Sequence, residues 1–212
     1  YCSRLKSINI PDSVKILGKK VFSYCSLLDS VNISSGLSTI PAYTFQYCTG
    51  LKTIDIPENI LSLSEYSFSY SGLESLEVPE TVQSFGDSTF YSCTHLTSIN
   101  IPSTMTTIAK NAFYGCSELS TIVIPDSVTS YGASAFGNCT KFETFNISEY
   151  VTTLGDSVFT YCTGMKYINI PDTLTTMGKK VFSYCSNLNS VNFSKGLTTI
   201  PAYTFQYCTG LK

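Results

Sequence analysis

The chain has 212 residues, is 43% hydrophobic and 13% charged, and carries nine Cys, one His and no Trp. The apolar fraction excludes a disordered chain, and a net charge of -2 excludes general nucleic-acid binding, which needs a basic face. An odd Cys count excludes a fully paired intrachain disulfide framework.

The chain opens at Tyr1 with no charged segment followed by an apolar one, so no signal peptide is visible. A start at Tyr reads as a processed or excerpted piece. The first predicted strand runs from Leu5 to Ile10, where Ile8 and Ile10 alternate with polar neighbours. Pro11 stops it, because proline offers no amide to a ladder. Val14 and Leu17 supply a second apolar pair, and Gly18 is expected to permit a tight bend. Phe22 and Cys25 follow.

The pattern then recurs every 23 residues. Phe returns at 45, 68, 90, 113, 136, 159, 182 and 205, and Cys at 48, 93, 116, 139, 162, 185 and 208. Ser71 stands where a Cys is due, in the one period that is short by a residue. The strand stop is Pro11, Ser34, Pro57, Pro79, Pro102, Pro125, Ser148, Pro171 or Ser194. A unit this short cannot bury its own apolar face, but stacked copies can. Equivalent strands should align in a parallel sheet about 4.8 Å apart, giving an arc about 40 Å long.

The blocks L-x-x-I-x-I-P, V-x-x-I-G and A-F-x-x-C resemble the BspA-like, Treponema pallidum-type leucine-rich repeats along the whole chain. The resemblance implies an α/β-type repeat solenoid, an arc of about nine 23-residue repeats with a parallel concave β-sheet. It also implies a cell-surface or secreted, adhesin-like protein that binds host or extracellular-matrix proteins. The family pattern supplies no catalytic residue to transfer, and no cofactor is expected.

Residues 18–52 and 178–212 differ only at Leu27/Asn187, Asp29/Asn189, Ile33/Phe193, Ser35/Lys195 and Ser38/Thr198. Segmental duplication explains this, and a fragment of a longer array is expected. The shortened unit between Phe68 and Leu73 is expected to make a local kink.

The Cys positions read as buried free thiols that fill small apolar slots. Zinc would need clustered thiols or imidazoles, and ladder side chains point the same way rather than at one another. His95, two residues after Cys93, reads as an exposed loop residue.

The rung between the two buried strand residues should face the concave surface. It holds Asn9, Asn32, Asp55, Glu77, Asn100, Val123, Asn146, Asn169 and Asn192. After the strand stop come Asp12, Ser35, Glu58, Glu80, Ser103, Asp126, Glu149, Asp172 and Lys195. The rung before holds mostly Ser or Thr, with Tyr167 the exception. From 53 to 109 there is no Lys or Arg, but Asp55, Glu58, Glu65, Glu74, Glu77, Glu80 and Asp87 all fall there.

Candidate partner-binding residues are therefore Asp55, Glu58, Glu77, Glu80, Asp126, Glu149, Tyr167 and Asp172. The same face also reads as a solvated one that discourages association. A glycosidase dyad lacks the deep, aromatic-lined pocket expected for it. Tyr24, Tyr47, Tyr70, Tyr161, Tyr184 and Tyr207, with Tyr1, should form a half-buried rim ladder. The sequons at Asn32, Asn138, Asn146 and Asn192 would place glycans mostly on the concave strands, so most are expected unused.

The expected function is a non-enzymatic protein–protein interaction module using the acidic concave face. No nucleic-acid partner and no membrane insertion are expected, since no apolar run reaches about 20 residues. The alternative is a cytoplasmic or cytoskeletal scaffold repeat that stacks against neighbours in a larger assembly.

Overall fold

A computed structural model describes residues 2–193 and 195–212. Tyr1 of the tyrosine row and Ser194 of the strand stops lie outside the described residues. The chain winds as a parallel β-solenoid with two strand-bearing walls and a third wall made of turns.

The first wall carries the strands that run into the Pro or Ser stops. It contains β1 (Ser7–Asn9), β2 (Ser30–Asn32), β5 (Ser75–Leu76), β7 (Ser98–Ile99), β10 (Thr144–Asn146), β12 (Tyr167–Asn169) and β14 (Ser190–Asn192). The second holds β3 (Thr39–Ile40), β4 (Ser62–Leu63), β6 (Ser84–Phe85), β8 (Thr107–Ile108), β9 (Ser130–Tyr131), β11 (Thr153–Leu154) and β13 (Thr176–Met177). All pairings are parallel and keep the sequence register, as in Ile8 against Val31 and Leu154 against Met177.

The α/β label needs correcting, because no helix occurs among the described residues. The Phe-bearing wall takes its place. Residues two before and two after each Phe have left-handed φ, for example Tyr43 at 61° and Tyr47 at 58° around Phe45. Backbone alternation of this kind turns every second amide toward the next unit. Tyr43, Phe45 and Tyr47 amides donate to the carbonyls of Glu65, Ser67 and Ser69 at 3.1, 2.8 and 2.9 Å. Left-handed φ costs an L-residue roughly 1–2 kcal/mol, and the inter-unit hydrogen bonds offset it. This wall therefore binds its neighbour through the main chain, which a helix with internal hydrogen bonds cannot do.

The repeat count differs too. Among the described residues each strand-bearing wall has seven strands, the first in sheets of two, two and three and the second in sheets of three and four, so the nine Phe-marked periods are not all complete two-strand turns.

The core lies between the walls. Phe45, Phe68, Phe90, Phe113, Phe136, Phe159 and Phe182 have no exposed surface and stack ring on ring, with centroids 5.4 to 5.8 Å apart. The short unit does not break the stack, since Phe68 and Phe90 stay 5.8 Å apart. Its missing residue is absorbed between Ser71 and Leu73, where the Gly72 amide donates to the Cys48 carbonyl at 3.1 Å.

Four of the five recurring glycines act by close approach, not by a left-handed bend. Gly86, Gly132, Gly155 and Gly178 lack positive φ. A Cβ on Gly132 would stand 2.6 Å from the Lys110 amide nitrogen, and one on Gly86 would stand 2.3 Å from that of Glu65.

Candidate functional site

Among the described residues the first wall is interrupted twice. Thr53–Ile56 and Thr121–Ile124 hold equivalent positions but lie in no strand, and their main chains make no hydrogen bond among the described residues. Elsewhere the Asn rung ties neighbours together. Asn32 Nδ2 donates to Asn9 Oδ1 at 2.5 Å, and Asn192 Nδ2 to Asn169 Oδ1 at 2.6 Å. Asn100 bridges to both the amide and the carbonyl of Val78, at 2.6 and 2.8 Å. Asp55 and Val123 occupy this row at the two interruptions, and neither side chain can donate. A carboxylate beside Glu77 adds like-charge repulsion, which is unfavourable on neighbouring strands.

Each interruption forms an open cleft. The first is lined by Ile54, Asp55, Ile56, Glu58, Leu76, Glu77, Val78, Glu80 and Asn100, among others. The predicted quartet Asp55, Glu58, Glu77 and Glu80 is thus brought together. The second cleft is lined by Thr121, Ile122, Val123, Ile124, Asp126, Asn146, Ser148, Glu149 and Tyr150. It joins Asp126 to Glu149. Tyr167 is exposed on β12, between Thr144 and Ser190 in register, and is not a wall of this cleft.

The post-stop carboxylates divide into two kinds. The Asp12 carboxylate accepts the Ser35 amide at 2.8 Å, and Asp172 accepts the Lys195 amide at 2.8 Å. Glu80 accepts both the amide and the hydroxyl of Ser103, at 2.8 and 2.7 Å. These bonds hold Asp12 and Glu80 below the ordinary carboxylate range. Where the next unit carries another acid, the bond is missing. Among the described residues Glu58 facing Glu80, Asp126 facing Glu149, and Glu149 facing Asp172 make no hydrogen bond or ion pair. Asp55 and Glu77 are likewise unpaired. Glu80 and Asp172 therefore act as loop clasps, while Asp55, Glu58, Glu77, Asp126 and Glu149 keep free charge. That division was readable from the residue one unit later, Ser or Lys as against Asp or Glu.

The cysteines stand apart from this face. Eight are buried, and seven thiols donate to the carbonyl of the preceding unit's Phe. Burial pushes Cys48 and Cys162 up to about 12 and Cys93 up to about 11. They are poor nucleophiles. His95 is exposed, with Nδ1 3.3 Å from the Thr94 hydroxyl. No group of three or more His, Cys, Asp or Glu could hold a metal among the described residues. The tyrosine rim is continuous through Tyr24, Tyr47 and Tyr70, then Tyr91 and Tyr114, with centroids 4.4 to 5.5 Å apart.

The sequence matches the profile of the BspA type leucine rich repeat region, in six copies, over residues 1–97 and 83–212. The chain belongs to the BspA-type leucine-rich repeat family. Solved structures share the fold. A leucine-rich repeat protein from Bacteroides ovatus has a TM-score of 0.63 at 22% identity, covering 100% of this chain and 78% of that one. A Treponema pallidum leucine-rich repeat protein has a TM-score of 0.68 at 20% identity, covering 76% and 78%. A leucine-rich cell surface protein from Faecalibacterium prausnitzii has a TM-score of 0.62 at 24% identity, covering 98% and 78%. No curated protein matches the chain. No helix among the described residues is long and apolar enough to cross a membrane.

Proposed function

We propose that this BspA-type chain is a non-enzymatic interaction module of a surface or secreted, adhesin-like protein, and that it binds a basic protein partner on its concave face. The observation that carries this reading is the first cleft, where Asp55, Glu58 and Glu77 project free carboxylates beside an unpaired backbone segment. Cationic side chains satisfy both kinds of acceptor. The similarity to a cell surface protein supports the location. The eight buried thiols are poor nucleophiles, and among the described residues the His95 ring hydrogen-bonds only to the Thr94 hydroxyl, which supports a non-enzymatic role.

Titration with an extended Arg-rich peptide tests the reading. Tight binding at low salt that weakens as salt rises is expected, and Glu58→Lys with Glu77→Lys should weaken it strongly. Affinity unchanged by the double reversal removes the concave face as the contact surface.

A further inference from the structure

The second cleft is not a copy of the first. Val123 is 80% exposed and Tyr150 is 55% exposed, so an apolar surface lies beside the free carboxylates of Asp126 and Glu149. Behind the wall, Tyr131 is 1% exposed, and its hydroxyl has no well-formed hydrogen bond although it approaches the Ser148 backbone. Ser148 itself lines the cleft. The cleft thus combines two carboxylates, unpaired main-chain carbonyls from Thr121–Ile124, and an exposed apolar shelf. An arginine side chain matches that set, with donors in a planar fork and an apolar stem.

Distance adds a constraint. The rung order Asp55, Glu77, Asn100, Val123 puts the second cleft three units beyond the first. Three parallel-strand spacings make about 14 Å, which an extended chain covers in about four residues. Four is even, so side chains at i and i+4 share one face.

Resting on the proposed concave-face reading, we infer that the two clefts together take an extended basic segment bearing Arg side chains four residues apart, with the second Arg seated between Asp126 and Glu149 over Val123 and Tyr150. The two contacts act as one bivalent site, so the second is made at high effective concentration.

Synthetic Thr/Ser peptides with two Arg residues at i,i+2, i,i+4 and i,i+6, and one with a single Arg, test this by calorimetry. The i,i+4 peptide should bind at least about tenfold tighter than the others. Asp126→Asn with Glu149→Gln, folded by circular dichroism, should reduce it to the single-Arg level and leave the single-Arg peptide unchanged. Equal affinity for all three spacings overturns the bivalent site while leaving the acidic face as a binding surface. Binding no stronger than that of an Arg-free control overturns both.

Discussion

The Cys116 thiol donates to the Phe90 carbonyl at 3.2 Å, across 26 residues of sequence. The same carbonyl accepts the Cys93 amide at 3.1 Å. One oxygen thus closes a turn in its own unit and holds the unit above. Cys116→Ala should cost about 1–2 kcal/mol, from the lost donor and the small void left behind. Cys116→Ser, which keeps a donor in a slot where Ser71 already sits, should cost less. Urea denaturation of the two variants checks this; equal losses would remove the hydrogen bond from the explanation.

Thiol chemistry gives a second expectation. Iodoacetamide at neutral pH should modify the exposed Cys2 and spare the eight buried cysteines. In guanidinium chloride under non-reducing conditions every Cys should react. Mass spectrometry showing native modification of Cys93 or Cys139 contradicts their burial.

Phe113→Ala should destabilise the fold by about 3–5 kcal/mol, because its ring is stacked between Phe90 and Phe136 with no exposed surface. A loss below about 1 kcal/mol in chemical denaturation would place Phe113 outside the core.

Two glycines make a matched pair. Gly132→Ala forces a Cβ against the Lys110 backbone and should cost about 1–3 kcal/mol. Gly18→Ala meets nothing nearer than Val21 at 3.6 Å and should be neutral or slightly stabilising. Thermal melts of both variants distinguish close approach from a general need for glycine at this position.

The Glu80–Ser103 clasp carries a pH signature. Its carboxyl is held below the ordinary range first by the Ser103 hydroxyl and then by the Ser103 amide. A depressed folded pKa means that its stabilisation is complete above the unfolded value, about 4.3. That stabilisation is lost as pH falls through the lowered folded value. Glu80→Gln should therefore melt below the parent protein at neutral pH, and the gap should close toward about pH 3. A gap that persists in acid assigns the effect to shape rather than charge.

The solenoid, its phase and its Phe core were legible in the sequence because one side chain repeats at one spacing. Phe113 and Cys116 declare themselves as periodic positions, and burial of a periodic apolar residue follows directly. The turn wall was not legible. Nothing in Tyr43 or Tyr47 as residue types announces left-handed φ, which Asn and Gly adopt more readily; stacking and main-chain bonds to the next unit hold it there. The interruptions at Asp55 and Val123 were visible as departures from Asn. Their effect on the ladder depends on which atoms donate across the rung, and that emerges only when the units are stacked. Tyr167 stood out by composition, but its placement on β12 outside the second cleft depends on three-dimensional packing.

The main-chain bonds of the Phe wall all run one way, with amides of each unit directed to carbonyls of the next. A stack built on such bonds has no two-fold axis across its steps. Two arrays meeting with like faces would set amide against amide or carbonyl against carbonyl. Only head-to-tail addition continues the bonding, and that geometry is heterologous, with no point-group closure built into it.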